Sequence, residues 1–501
     1  MSASGQKTGM FSLVRALLLG GMVGKVLSIG RELLAAWLFG TGVVAAAFRL
    51  AQAAMLIPVH YVVSEALNAG FIPTYSRLLQ EAPEKAHELL DALRWVLLWF
   101  ALCAALLLAV GASLWVSLLA PGFSAAAHAM AVDLLRVFSV AIPAYVLTGL
   151  YASVEMAHGG GQLAASRASI QSVGLIAGSL LAFGLGQPIW IAAGFSCAYV
   201  VLTFWGKRIL MRHDIALPFR WRLADGGWAI LRGFGRTMRP LLLIPVLLQI
   251  HFSTERIVAS LIGDQVVAAL DYAKFISETA VLLLAVPFGL AGLAGFARED
   301  EAAFRRKAGS VLLTLILVSL PISAVVLASA EPILRLLFMR GAFDEGSLHT
   351  TQLILTGLGI GLWAQVAGYA LVKFLNARMR NREAVAIVAV ALTSNVSFNL
   401  LAYRWLGPAA LGVGASLYGL LLLGLGVWRL KIAGVLAKPL GLLILLAGSY
   451  LALVHWLIPL AARQLVPAML CALCFWGAAL LLIPLLRRQV LEIFDMIRRR
   501  A

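Results

Sequence analysis

The dominant pattern along the chain is a series of long apolar runs separated by short polar breaks. A helix needs about 20 mostly apolar residues to cross the hydrocarbon core of a bilayer. The pattern predicts about fourteen helices of this kind. We number them spans 1 to 14, with expected ranges 12–40, 44–71, 89–119, 128–157, 163–185, 187–206, 240–262, 265–297, 308–330, 346–374, 384–404, 408–428, 438–460 and 464–486.

Composition agrees with this pattern. Hydrophobic residues occupy 62% of the 501 positions, charged residues occupy 13%, and the mean hydropathy is +0.94. Soluble domains are typically about 45–50% apolar and about 25% charged. We therefore expect an all-α polytopic membrane protein, solvated mostly by lipid.

The formal net charge of +17 sets the expected orientation. Cations are concentrated at the N-terminus, in the loops after even-numbered spans and in the C-terminal tail, and the break after span 6 holds the most. Cytoplasmic loops of membrane proteins carry an excess of Lys and Arg. Both termini are therefore predicted to be cytoplasmic. Basic residues that set topology do not indicate nucleic-acid binding, which we do not expect.

The break after span 6 also divides the chain. Six predicted spans precede it and eight follow, so we expect two six-helix lobes with an appended pair of helices. The predicted domains are an N-terminal lobe at 1–212, a cytoplasmic loop with a basic amphipathic segment at 213–239, a C-terminal lobe at 240–431, and spans 13 and 14 with a basic tail at 432–501.

Charged residues inside the spans are the candidate functional residues. A charge near the bilayer centre costs roughly 2.5–3.5 kcal/mol on insertion scales, so it normally faces a polar cavity or a partner. Such residues are concentrated in spans 1, 2, 7 and 8: Lys25, Arg31, Glu32, Arg49, His60, Glu65, His251, Glu255, Arg256, Asp271, Lys274 and Glu278. We place Glu155 and Arg167, near the ends of spans 4 and 5, at the membrane interface.

Two interpretations of these charges stay open. Asp271, Lys274 and Glu278 follow the three-and-four spacing of one helical stripe, and could be internal ion pairs. Glu255 and Arg256 are interpreted as a structural pair. Lys25 and Arg31, by contrast, form a local surplus of positive charge that needs an anion or a distant carboxylate. A cationic cavity suits a phosphate-bearing substrate, because arginine can hold a diphosphate bidentately.

An enzyme is disfavoured. A membrane glycan ligase or polyprenyl transferase would need a polar loop with an acid or metal constellation, and no loop on the predicted outer face is long enough to provide one. We expect no metal site, no catalytic residue and no cofactor.

Several patches resemble the MurJ/MviN lipid II flippases of the MOP exporter superfamily. Their order and spacing carry the resemblance, which runs along most of the chain: Lys25 to Leu27, Gly30 to Glu32, Phe39 to Gly42, Phe71 to Pro73 with Tyr75, Ala120 to Phe123, Leu337 to Phe343, Asn376 to Arg378, Asn399 to Leu401, and Leu406 to Gly414.

The resemblance implies two six-helix lobes around a cationic central cavity, a groove formed by spans 13 and 14, and alternating access. The implied activity is moving an undecaprenyl-diphosphate-linked saccharide from the inner to the outer leaflet of the bacterial cytoplasmic membrane. The implied partners are that substrate and membrane lipids, and we expect a monomer. Transport could depend on the membrane potential or on a coupling cation. The resemblance assigns the headgroup cavity to Lys25, Arg31, Glu32, Arg49 and Lys274.

The chain departs from the family pattern at several positions. Lys25 replaces an arginine, and Ala47 occupies the position of an aspartate. Lys274 lies one position before the family's cation, and the family's arginine pair late in span 2 falls near Pro58 to His60 of this chain. Lipid II and an exopolysaccharide or capsule repeat unit are therefore both retained as substrates. The alternative is a cation-coupled small-molecule exporter of the MATE type, with coupling carboxylates or ion pairs among Glu65, Glu255, Arg256, Asp271 and Glu278.

Overall fold

The computed structural model describes residues 3–60, 65–212, 215, 223, 226–238, 243–296, 300–457, 464–484 and 486–487. In this part of the chain the regular structure is entirely helical. Contacts divide the chain into two compact units, residues 1–264 and 265–501. The first unit therefore includes 243–262, which the sequence assigns to the second lobe. The predicted lobe boundaries at 212 and 240 stay predictions.

Unit 1 contains eleven helices in the described ranges. They are α1 (Ala3–Phe39), α2 (Val43–His60), α3 (Glu65–Glu81), α4 (Pro83–Val110), α5 (Ala112–Leu119), α6 (Ala125–Val140), α7 (Ile142–Ala157), α8 (Gln162–Leu185), α9 (Ile189–Met211), α10 (Gly227–Met238) and α11 (Leu243–Ile262).

Unit 2 begins at the start of a long helix and continues to the C-terminus. Its helices are α12 (Asp264–Phe296), α13 (Glu301–Ala328), α14 (Ala330–Phe338), α15 (Glu345–Ala377), α16 (Asn381–Leu406), α17 (Ala409–Leu430), α18 (Ala433–Ala452) and α19 (Leu465–Leu482). A π-helical turn, Leu453–Leu457, extends α18.

Membrane-spanning length can be assessed only for the described residues. Nine helices there are long and apolar enough to cross a bilayer, or ten if α6 and α7 form one bent span. The membrane character is confirmed, and the count of fourteen stays a prediction. The basic segment after span 6 contains helix α10, whose Phe234 ring lies 6.4 Å from the Phe71 ring of α3.

Two predicted spans are broken in the structure. Span 4, expected as one helix over 128–157, consists of α6 and α7, which meet at an angle of 45°. Pro143 lies in the first turn of α7, where its missing N–H is tolerated and the preceding helix ends. Span 3 is likewise interrupted, because α4 ends before Gly111 and α5 begins after it. For span 2, positions 61–64 lie outside the described residues.

A loop in unit 1 is fastened to the end of α11. Gly122 N–H donates to Ser260 Oγ at 3.4 Å, and Ser124 donates to Asp264 through both its N–H (3.0 Å) and its hydroxyl (2.5 Å). A Cβ added to Gly122 would lie 2.2 Å from the Ser260 carbonyl oxygen. Only glycine therefore fits this approach of the two backbones.

In unit 2, α15 and α17 pack with their backbones almost touching. A Cβ on Gly412 would lie 2.2 Å from the Ile354 carbonyl oxygen. The Ser416 hydroxyl donates to the Gly357 carbonyl (2.6 Å) and accepts from Gly361 N–H (2.7 Å). Small residues and hydrogen bonds of this kind hold helices together in membranes.

Candidate functional site: a cationic cluster in unit 1

The turn between α1 and α2 brings three predicted site residues together. Gly40 adopts φ +52°, in the left-handed region that glycine favours, and redirects the chain after α1. Arg49 of α2 donates to both oxygens of the Glu32 carboxylate, at 3.2 Å to Oε1 and by a second, shorter bond to Oε2. Arg31 also donates to Glu32 Oε1, at 2.6 Å from Nη2 and 3.2 Å from Nε.

Burial separates the roles of these residues. Glu32 is 3% exposed and Arg49 is 7% exposed. The Arg31 side chain is 19% exposed, so it is the member of the cluster that a ligand can reach. The Glu32 carboxylate neutralises one of the two guanidinium groups of Arg31 and Arg49, so these three side chains together carry a net charge of +1. Lys25 lies half-buried on the same helix. Ala47, where the family has an acid, is fully buried.

Small residues on α1 allow α8 to approach closely. A Cβ on Gly20 would lie 2.5 Å from the Ala165 Cβ, and one on Gly24 would lie 2.9 Å from the Ala168 Cβ. These glycines are four residues apart, so they face the same side of α1. The contact places the start of α8 beside α1, and Arg167 lies in that stretch of α8.

Arg167 is a second cation inside unit 1, half-buried between two tyrosines. Its guanidinium carbon lies 4.4 Å from the centre of the Tyr145 ring and 5.6 Å from that of Tyr199. Its Nε donates to the Tyr199 hydroxyl at 3.2 Å, and that hydroxyl donates to Gln171 Oε1 at 2.7 Å. A planar guanidinium suits this stacking better than an ammonium does.

The tyrosine cluster connects to α2 and α11. The Tyr145 hydroxyl lies 3.3 Å from His60 Nε2, and His60 Nδ1 lies 3.2 Å from Gln249 Nε2. We call the set Arg31, Glu32, Arg49, His60, Tyr145, Arg167, Tyr199 and Gln249 the cationic cluster.

Glu155 and Arg167, the two positions assigned to the membrane interface, differ in their burial within unit 1. Glu155 is 1% exposed and accepts hydrogen bonds from the backbone N–H groups of Gln162 (2.7 Å) and Leu163 (2.8 Å) at the start of α8. A carboxylate there satisfies amide groups that the helix leaves without partners. Arg167 is half-buried among tyrosines. The interfacial interpretation is wrong for Glu155, whose carboxylate is buried against the start of α8, seven and eight residues further along the chain. For Arg167 it stays a prediction.

The remaining predicted residues are distributed over α3, α11 and α12. Glu255 is 2% exposed, and its Oε1 lies 3.6 Å from His251 Nε2, one helical turn earlier. Arg256 is half-buried on the same helix. In unit 2, Asp271 and Lys274 are half-buried on α12 and Glu278 is exposed. Glu65 begins α3, and its side chain lies outside the described residues. The functions predicted for these residues stay predictions.

The described residues contain no group of three or more His, Cys, Asp or Glu side chains that could hold a metal ion. What the cationic cluster offers is fixed positive charge and hydrogen-bond donors in a largely buried setting. Such an arrangement binds anions, and it is suited to phosphate groups in particular.

Comparison with known proteins identifies the family. The sequence profile described as "Lipid II flippase MurJ" matches residues 35–478. The chain belongs to the lipid II flippase MurJ family. A probable lipid II flippase MurJ from Synechocystis sp. is 24% identical over 471 residues, covering 86% of this chain and 83% of the relative. Another from Rhizobium meliloti is 35% identical over 124 residues, covering 24% of this chain and 23% of the relative.

Solved structures support the MurJ fold. A lipid II flippase MurJ in an inward closed conformation superimposes with a TM-score of 0.79 at 18% identity, covering 93% of this chain and 98% of that chain. An inward-facing multidrug resistance MATE family transporter of the MOP superfamily gives a TM-score of 0.62 at 14% identity, covering 83% of this chain and 96% of that chain. Membership of the MurJ family makes this chain a transporter rather than an enzyme, as its sequence predicts.

Proposed function

We propose that this protein moves an undecaprenyl-diphosphate-linked saccharide from the inner to the outer leaflet of the bacterial cytoplasmic membrane by alternating access. The observation that carries the proposal is the cationic cluster inside unit 1. Three guanidinium groups, those of Arg31, Arg49 and Arg167, are offset there by one carboxylate, that of Glu32. The MurJ relatives, which are named for lipid II flipping, support the same substrate chemistry.

The proposal gives the cationic residues different tasks. Among Arg31, Glu32 and Arg49, which we call the charge triad, Arg31 has the accessible guanidinium, so it contacts the diphosphate. Glu32 and Arg49 are buried, and they hold Arg31 in position. Arg167 is fixed by two tyrosines and presents a second guanidinium with little loss of side-chain entropy on binding. Lys25 and Lys274 are retained as further headgroup cations from the sequence pattern.

The test is complementation of a strain depleted of its lipid II flippase. Arg31→Ala should abolish complementation while the protein still reaches the membrane, because Glu32 keeps its bonds to Arg49 and unit 1 stays folded. Arg136→Ala is the matched control, since Arg136 pairs with Asp133 on an exposed face of α6 and should complement normally. Wild-type growth with Arg31→Ala would exclude the proposed role of Arg31.

Lipid II and an exopolysaccharide repeat unit share the polyprenyl diphosphate and differ in the saccharide. Complementation of the lipid II flippase strain favours lipid II. Failure there, together with restored polymer export in a strain lacking a repeat-unit flippase, favours the repeat unit. The MATE-type alternative predicts extrusion of cationic dyes that depends on Glu65 or Glu278, and such extrusion without either complementation would favour it.

The proposed orientation places both termini in the cytoplasm. It is supported by the concentration of Lys and Arg in the loops after even-numbered spans. A C-terminal fusion to alkaline phosphatase, which is active only outside the cytoplasm, should be inactive, while a C-terminal fluorescent-protein fusion should fluoresce. The opposite pair of results would reverse the assignment.

A further inference from the structure

A cavity of about 670 Å³ lies in unit 2, and none of the residues that line it belongs to the cationic cluster. We call it the outer pocket. Its walls come from the last turn of α13, the first turn of α14, the first third of α15 and the π-helical end of α18. The volume lies within the range of small-molecule sites, about 300–1,000 Å³. α13 and α18 both end at the pocket, which puts it on the outer face under the proposed topology.

The polar groups that line the outer pocket have unused hydrogen-bonding capacity. Gln352 and Thr356 lie four residues apart on α15, so they present an amide and a hydroxyl on one face. His455 adds an imidazole from the π-helical turn. Within the described residues, none of these three side chains makes a hydrogen bond. Each can donate and accept, which matches the hydroxyl groups of a ligand.

Trp456 adds a flat apolar surface beside these groups. It lines the outer pocket and is 82% exposed. It belongs to the π-helical turn Leu453–Leu457, and single π-turns in α-helices occur frequently at functional sites. The indole face can stack on the C–H groups of a pyranose ring. The amide, hydroxyl and imidazole groups beside it can hydrogen-bond the hydroxyl groups of the same ring.

Charge narrows the ligand class. Glu331 lines the outer pocket and accepts from Arg335 Nε at 2.9 Å, while Arg335 also donates to Glu345 at 2.7 Å. Among the described residues that line the outer pocket, Glu331 is the one acidic or basic side chain other than His455, and its partner Arg335 is shared with Glu345. A phosphate or a uronic acid is therefore repelled, whereas a neutral or amine-bearing ligand is not.

We propose that the outer pocket binds a neutral or amine-bearing sugar ring, stacked on Trp456 and hydrogen-bonded by Gln352, Thr356 and His455. This site is separate from the diphosphate site proposed above. Its chemistry does not depend on the proposed function, and only its assignment to the outer face rests on the proposed topology. The sugar is either the saccharide of a lipid-linked substrate or a free glycan.

The test measures binding of soluble sugars to the full chain in lipid nanodiscs by ligand-observed NMR titration. The probes are methyl β-glucopyranoside, glucosamine and glucuronic acid. The first two should saturate the protein, and glucuronic acid should bind about threefold or more weakly than the neutral sugar because of Glu331. Glu331→Gln should reduce that difference. Equal binding of all three sugars, or no saturable binding, would overturn the proposal.

A matched pair of tryptophan variants tests the location. Trp456→Ala should weaken binding of the neutral sugar roughly tenfold through loss of stacking. Trp405→Ala is the control, because Trp405 at the end of α16 is also 82% exposed and does not line the outer pocket. Gln352→Ala should weaken binding as well. Equal effects of Trp456→Ala and Trp405→Ala would indicate a membrane-interface tryptophan and refute the site.

The source of the sugar follows from the complementation assay. If Trp456→Ala loses both sugar binding and complementation, the outer pocket holds the saccharide of the transported lipid. If it loses sugar binding alone, the pocket holds a free glycan; both results support the site. Arg31→Ala should retain sugar binding, so failure of the flippase proposal and failure of the outer pocket remain distinguishable.

Discussion

Neutralising Glu32 should destabilise unit 1 strongly, because this carboxylate pairs with the guanidinium groups of Arg31 and Arg49, and that of Arg49 is buried. Glu32 is 3% exposed and Arg49 is 7% exposed. Removing one partner of a buried ion pair typically costs about 3–5 kcal/mol, since the other charge stays buried without compensation. At roughly 2–4 °C per kcal/mol for a unit of this size, Glu32→Gln should lower the melting temperature by about 6 °C or more.

The assay is thermal unfolding of the full chain in nanodiscs, read by size-exclusion chromatography after heating. Asp133→Asn is the control for an exposed pair, because Arg136 and Asp133 are 55% and 66% exposed at 3.3 Å. That change should shift stability by less than about 1 kcal/mol.

A double variant separates the ion pair from other effects of the substitution. Glu32→Gln combined with Arg49→Met removes both charges of the buried pair, which costs less than leaving one of the two charges buried without its partner. The double variant should therefore recover most of the stability that Glu32→Gln loses. A Glu32→Gln protein as stable as the wild type, or a double variant less stable than the single one, would refute this account of the cluster.

Three further changes test other parts of the structure. Arg167→Lys should lower transport at least about tenfold with a small change in melting temperature, because an ammonium group is not planar and cannot stack on the tyrosine rings as a guanidinium does. Arg136→Lys is the control, and unchanged transport by the Arg167→Lys protein would exclude a role for Arg167. Gly122→Ala should destabilise the loop between α5 and α6 by about 1–3 kcal/mol, since the added Cβ would overlap the Ser260 carbonyl. Amide hydrogen exchange in this loop should become faster, and an unchanged rate would contradict the close approach of Gly122 to Ser260. Asp344 caps α15 by accepting from Ser347 N–H at 2.8 Å, which lowers the pKa of its carboxyl. Asp344→Ala should cost about 1 kcal/mol at pH 7 and less as the pH falls below about 4, where the unfolded carboxylate and then the folded one take up protons; a loss of stability independent of pH would argue against the charged cap.

The sequence predicts the charge triad because the cost of a charge in lipid can be assessed at each position. Arg31, Glu32 and Arg49 lie within predicted spans, and the structure places them in one ion-pair network. Their chain separation is short, and a single glycine turn brings α2 to α1. Local reasoning was sufficient for this part of the site.

Arg167 could not be predicted in the same way. Its partners Tyr145 and Tyr199 belong to α7 and α9, and a tyrosine adds no formal charge to the sequence, so no charge pattern indicates them. Its position near a predicted helix end favoured the membrane interface. The four-residue spacing of Gly20 and Gly24 on α1 weakly indicates that another helix packs closely there, but it does not identify that helix as α8.

The fold class and the main helices could be predicted because apolar length reports membrane crossing directly. Helix breaks could not, because proline and glycine are also tolerated within continuous membrane helices. Pro143 marks the bend between α6 and α7, whereas Pro321 lies within α13, which continues through it. The difference arises from tertiary packing, which a single sequence does not specify.

The backbone contact between α15 and α17 has a mechanical consequence. Lipid tails are as apolar as the helix surfaces, so they exert little hydrophobic force that drives helices together, and close packing must do so instead. Because Gly412 and Ser416 fit directly against the α15 backbone, this seam depends little on bilayer thickness or lipid type. If the chain were pulled out of the membrane by its C-terminus, α17 should resist until α15 yields with it, so the three helices α15 to α17 should leave the bilayer in one step.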